Sequence, residues 1–122
     1  MITGSATIIG DLASLELGPP GPDAAAIYDR PISLRELHTD PASGEEHYLI
    51  RYPPGTRGVS HRHTAAHTFL VLEGHLDANG EVIGPGSYAH FPAGERMLHQ
   101  AAGEDGCLFI AIFHGPFDVE PV

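Results

Sequence analysis

The 122 residues predict an all-β fold, a small sandwich or barrel of short antiparallel strands. Three observations carry that expectation. The apolar runs are short and mostly alternate with polar residues, the period-2 pattern of a half-buried strand. Fifteen glycines and eleven prolines are scattered between those runs, as turns require, and are not gathered into a linker. Helix-period stretches are almost absent.

In chain order, residues 2–9 read as an apolar edge strand, one that could pair with a second subunit. Gly18-Pro-Pro-Gly-Pro-Asp23 reads as a rigid loop that neither a helix nor a central strand accepts, and it divides an N-terminal extension (1–23) from the main body. A single weak helix is expected over Ala24–Asp29. Strands are then expected at Ser33–Leu37, Glu46–Tyr52 (stopped by Pro53-Pro54-Gly55), Val59–His63 and Thr68–Leu76. Asp77-Ala-Asn-Gly80 is a strong hairpin signal, because Asn-Gly tolerates the positive φ angles of a two-residue turn. Glu81–Ile83 returns, Tyr88–Phe91 follows Pro85-Gly86, and Met97–Ala101 and Leu108–Phe113 complete the set. With no repeat and no long linker, one domain over 1–122 is expected, with its core at about 30–117.

Composition excludes several functions. The formal net charge is −10, from 16 acidic and 6 basic residues, and lysine is absent. Nucleic-acid backbones and anionic membranes are bound by clustered cations, so neither is an expected partner. Cys107 is the one cysteine, which rules out an intrachain disulfide; it lies in the apolar run Cys107–Phe113 and is read as a buried structural residue. No basic signal-peptide start and no run of about 20 apolar residues occurs, so a cytoplasmic protein is expected. No Gly-x-Ser-x-Gly elbow or phosphate loop is present.

The chemistry concentrates at residues 55–74. His61, His63 and His67 fall within seven residues, between Gly55 and Gly74. On a strand, side chains two apart share a face, so His61 and His63 can hold one ion and His67 can reach it from beyond a turn. Neutral imidazole is the commonest side-chain metal ligand. His38, His47, His75 and His114 are read as surface or structural residues, and Glu73 as solvated. Tyr48, Tyr52 and Arg51 lie on a strand that could wall a cavity; His90 and Met97 are further candidates for its lining, and Arg51 could meet a substrate carboxylate.

These spacings resemble the cupin superfamily. Its first motif is glycine, five residues, His-x-His, three or four residues, glutamate, six residues, glycine; here Gly55, His61-Arg-His63, His67 and Gly74 fit every spacing. His67 stands where the family has glutamate. In the second motif Gly86 and Pro92-Ala-Gly94 fit, and the histidine comes two residues late, as His99 in place of Met97. A shift of two keeps the strand face. The resemblance spans roughly residues 45–114. It is strongest to the metal domain of zinc anti-sigma factors and to acetylacetone-cleaving and 2,4'-dihydroxyacetophenone dioxygenases.

The resemblance implies a double-stranded β-helix (jelly-roll barrel), a homodimer, and one divalent metal per chain at His61, His63, His67 and His99. An all-histidine set places no ligand charge on the ion and suits Fe(II) or Zn, with Ni or Cu as further options, over Mn or Mg. His67 could instead stand beside the ion as a base. The expected activity is a metal-dependent dioxygenase acting on a small diketone, hydroxyketone or aromatic ketone. The alternatives are a non-catalytic sensor or ligand-binding cupin, and a metal-dependent isomerase or lyase.

Overall fold

The computed structural model describes residues 6–116 and 119–121. Eleven strands occur among them. They are β1 (Ser33–Asp40), β2 (Glu45–Tyr52), β3 (His61–His63), β4 (His67–Gly74), β5 (Leu76–Ala78), β6 (Glu81–Ile83), β7 (Tyr88–Phe91), β8 (Arg96–Met97), β9 (His99–Ala101), β10 (Cys107–Phe113) and β11 (Val119–Pro121). One sheet has the order β1-β2-β10-β4-β7; two three-stranded sheets have the orders β11-β3-β8 and β6-β5-β9. Every pairing is antiparallel. Only Leu98 separates β8 from β9, so the two small sheets meet on one stretch of chain.

The core lies between the large sheet and the small ones. β2 contributes Ile50 and Tyr52, β4 Phe69 and Val71, β7 Phe91, and β10 Cys107, Phe109, Ala111 and Phe113; Leu76, Met97 and Ala101 come from the small sheets. In β10 this is strict alternation, with 107, 109, 111 and 113 all in the core. Cys107 is 1% exposed, and burial pushes its thiol up to about 12, which fits an inert structural residue.

Turn chemistry fixes the connections. Asn79 (φ 53°) and Gly80 (φ 90°) form the two-residue hairpin between β5 and β6. The Thr56 hydroxyl and backbone N–H both donate to Pro53 O, at 2.7 and 3.2 Å, closing the Pro53–Thr56 turn that leads to the histidine strand. Gly74 (φ 70°) needs glycine twice over, because a Cβ there would also strike the Gly106 carbonyl.

Several expectations are corrected. The helix is a single turn, Pro22–Ala25, and not Ala24–Asp29. Pro22 opens it, since a first-turn proline has no N–H to lose; the expected 18–23 loop therefore ends in helix. Beyond it, Ile27 is buried and its carbonyl accepts the Val59 N–H at 3.1 Å, while Tyr28 forms a β-bridge with Gly58, so tertiary pairing outweighs helical propensity. Of the expected N-terminal strand, residues 2–5 lie outside the described residues, and 6–9 are not strand. The expected Val59–His63 strand begins at His61, the strand over 68–76 divides at His75, and the strand over 97–101 divides at Leu98. No helix among the described residues is long and apolar enough to cross a membrane.

Candidate metal centre

β3 alternates as the spacing requires: His61 and His63 point inward and are 1% and 3% exposed, while Arg62 is exposed. β9 brings in His99, also buried, next to the Met97 that pairs with His61 across β3 and β8. Ligand atoms of His61, His63 and His99 all lie within 4.8 Å of one another. Nε2 of His61 and Nε2 of His99 are 2.9 Å apart. Two nitrogens at right angles on one ion, each ~2.1 Å from it, would stand ~3.0 Å apart. This pair therefore has the spacing that a shared divalent ion requires.

Hydrogen bonds on the far side of the rings fix which nitrogen is available. A carbonyl can only accept, so His61 Nδ1–H donates to Val59 O at 2.9 Å and leaves Nε2 as the lone-pair atom. His67 Nδ1–H donates to Ala65 O at 3.4 Å, and its Nε2 is buried without a hydrogen-bond partner among the described residues. A buried acceptor left open in this way fits a site built to receive a cation or a substrate proton.

His67 comes from the other wall. It sits on β4 of the large sheet, in register with Phe113 and Phe91, and its ring stacks on both, at centroid distances of 5.4 and 4.9 Å. It also stacks on His63 at 4.1 Å. It is not part of the 4.8 Å group, which is a facing triad of His61, His63 and His99.

All four rings are held neutral, the form that ligates. Burial is the largest cause in each case: it pulls His63 down to about 2 and His67 to about 4, lowers His61, and takes His99 well below the ordinary imidazole range. Neighbouring imidazoles add to the effect on His63 and His99. The surrounding wall is aromatic: Phe69 and Phe91 lie 4.9 and 6.1 Å from the His99 ring, and Phe113 lies 5.5 Å from the His63 ring.

Two side chains expected to line this cavity do not. Alternation on β2 sends Tyr48, Ile50 and Tyr52 one way and Arg51 the other; Arg51 lies outside, 3.6 Å from Glu73. His90 is exposed on the outer face of β7, bonded to Thr68 at 2.9 Å, because its neighbour Phe91 takes the inward position. Tyr48 is on the inner face, its ring edge-on to Phe113, with its hydroxyl turned to Glu46 at 2.7 Å. Met97 is buried beside His61. Tyr28 went unrecognised in the sequence. Its hydroxyl lies 3.0 Å from His99 Nδ1, and that of Tyr52 lies 2.7 Å away.

Residues 26–118 match the ChrR cupin-like domain family. The chain belongs to that family. Solved structures agree on the cupin fold. An acetylacetone dioxygenase from Acinetobacter johnsonii is 19% identical with a TM-score of 0.72, over 97% of this chain and 80% of that one. The polyketide cyclase RemF from Streptomyces resistomycificus is 19% identical (TM-score 0.65, 100% and 86% covered). A structure of Rhodobacter sphaeroides SigE in complex with the anti-sigma ChrR is 17% identical (TM-score 0.65), over 84% of this chain and 50% of that one. At these identities the likeness establishes the fold alone. No curated protein matches the chain.

Proposed function

We propose that this cupin is a metal-dependent dioxygenase that cleaves a small diketone, hydroxyketone or aromatic ketone. One observation carries the reading: three neutral histidines converge within 4.8 Å, and that group contains no carboxylate. A divalent ion held by neutral ligands keeps its full charge for an anionic chelate, which favours an enolate. Imidazole donors favour Fe(II), Zn, Ni or Cu over Mn or Mg. When bound, the metal supplies Lewis acidity and, as Fe(II), redox chemistry toward dioxygen.

The chain supplies the rest. His61, His63 and His99 hold the ion, and His67 serves as fourth ligand or as the base that receives the proton a β-diketone loses on becoming an enolate. Phe69, Phe91 and Phe113 keep water out and give a flat apolar substrate its walls. With Arg51 turned outward, that side chain supplies no carboxylate clamp inside. The net charge of −10 and the absence of lysine support a small-molecule partner over nucleic acid or membrane. The reading includes a cytoplasmic homodimer.

Anaerobic loading with Fe(II), followed by oxygen uptake with a panel of β-diketones, hydroxyketones and aryl ketones, tests this. Substrate-dependent uptake is expected from the iron form and none from the zinc form. An iron form inert across the panel would favour a zinc-filled sensor or ligand-binding domain, the reading that the ChrR family match supports. Substrate isomerised or cleaved without oxygen would favour the lyase alternative.

A further inference from the structure

We propose that Tyr52 and Tyr28 are positioning residues for His99, holding its ring through Nδ1 so that Nε2 serves the metal, and thereby setting the affinity of the site. The proposal rests on the metal reading of the histidine cluster.

Three atoms form a closed triangle behind His99. Tyr52 Oη lies 2.7 Å and Tyr28 Oη 3.0 Å from His99 Nδ1, and the two hydroxyls lie 2.6 Å apart. Tyr52 is 1% exposed and reaches the ring from β2 of the large sheet. Tyr28 reaches it from the segment before β1, anchored by its bridge to Gly58. Two distant parts of the chain therefore converge on one nitrogen that does not face the ion.

The chemistry explains why the partner is a phenol. His61 is fixed by a carbonyl, so its Nε2 is always an acceptor. His99 Nε2 lies 2.9 Å from it. Without a cation, two lone pairs at that distance repel, so His99 presents N–H at Nε2, and its Nδ1 must accept a hydrogen bond. With a cation, Nε2 is the lone-pair atom, and Nδ1 carries the proton and must donate. Only a group that both donates and accepts satisfies the buried Nδ1 in both states. A hydroxyl does so by rotating; a carboxylate serves the loaded state alone. The His99 proton moves from Nε2 to Nδ1, and the ring stays neutral throughout. Burial keeps both phenols protonated and so able to serve either way.

Metal affinity provides the test. Zn(II) and Co(II) binding is measured by competition with a chromophoric chelator for wild type, Tyr52→Phe, Tyr28→Phe and the surface control Tyr88→Phe, with the visible Co(II) spectrum recorded for each. Tyr52→Phe is expected to bind 10–100-fold more weakly, the range for loss of a partner behind a histidine ligand, with shifted Co(II) bands. Tyr28→Phe is expected to lose less, with a smaller shift in the same direction, and Tyr88→Phe to match wild type. Melting in excess chelator shows whether each variant folds; Tyr28→Phe decides the matter if Tyr52→Phe does not. Wild-type affinity and spectrum in the folded tyrosine variants would overturn the proposal and leave the metal reading standing. A wild-type chain that takes up neither metal overturns both.

Discussion

His67 is the residue on which the chemistry turns. By spacing it belongs with His61 and His63, and it occupies the family's glutamate position. In space it belongs to the opposite wall, clamped between Phe91 and Phe113, outside the triad that His61, His63 and His99 form. The two roles separate by mutation. His61→Ala and His99→Ala should each lower metal affinity by at least ~100-fold, more than the loss of an outer partner costs. His67→Ala should still retain one ion per chain, with turnover lost if the ring serves as the base. Metal content after desalting, read against oxygen uptake, checks both parts. A metal-free His67→Ala protein would make His67 an obligatory fourth ligand.

At the scale of elements, the second-motif histidine depends on the β5–β6 hairpin, whose Ala78 pairs with His99 across β5 and β9. β8 and β9 are split at Leu98, and the break is held by Asn79: its Oδ1 accepts the Leu98 N–H at 2.8 Å, and its N–H donates to Leu98 O at 2.8 Å. Asn79 also carries the positive φ of the turn. Asn79→Ala should therefore cost about 1–2 kcal/mol, from the strained φ and the lost side-chain hydrogen bond, and should weaken metal binding several-fold by loosening His99. Chemical denaturation and metal titration of this variant check the two effects. A destabilised variant with wild-type affinity would detach the hairpin from the site. The hairpin itself was legible in the sequence, because Asn-Gly carries its own backbone preference, and so were β6 and β7 to the residue. The break at Leu98 was not, since it arises from a contact nineteen residues away. The Tyr28 bridge, which overrides a local helix tendency, and β11, which forms by pairing with β3, escaped for the same reason. Local signals fixed turns and faces; partners distant in sequence decided where strands stop and which wall His67 joins.

For the whole molecule, a buried cluster of neutral imidazoles links stability to pH and to metal. In the unfolded chain a histidine titrates near ~6.5. In the folded chain burial lowers His67 to about 4 and His63 to about 2. Between those values the unfolded state binds protons that the native state refuses, so stability falls as pH drops below ~6.5. The fall continues to about 4 for His67 and to about 2 for His63. For His67 alone this is on the order of 3 kcal/mol. The excess of acidic residues acts the other way, because their mutual repulsion fades as they are protonated; the histidine contribution is isolated by comparison with His63→Gln/His67→Gln. In excess chelator, wild-type Tm should decline between pH 6.5 and 4.5, and the double variant should decline less steeply. Metal at a hundredfold excess over the wild-type Kd should add ~2.7 kcal/mol at neutral pH, and at the same concentration ~0.4 kcal/mol or less in His61→Ala. Parallel slopes in the two proteins would mean that the cluster does not govern acid stability, whereas a metal-dependent gain confined to the intact triad would tie the fold's stability to its site.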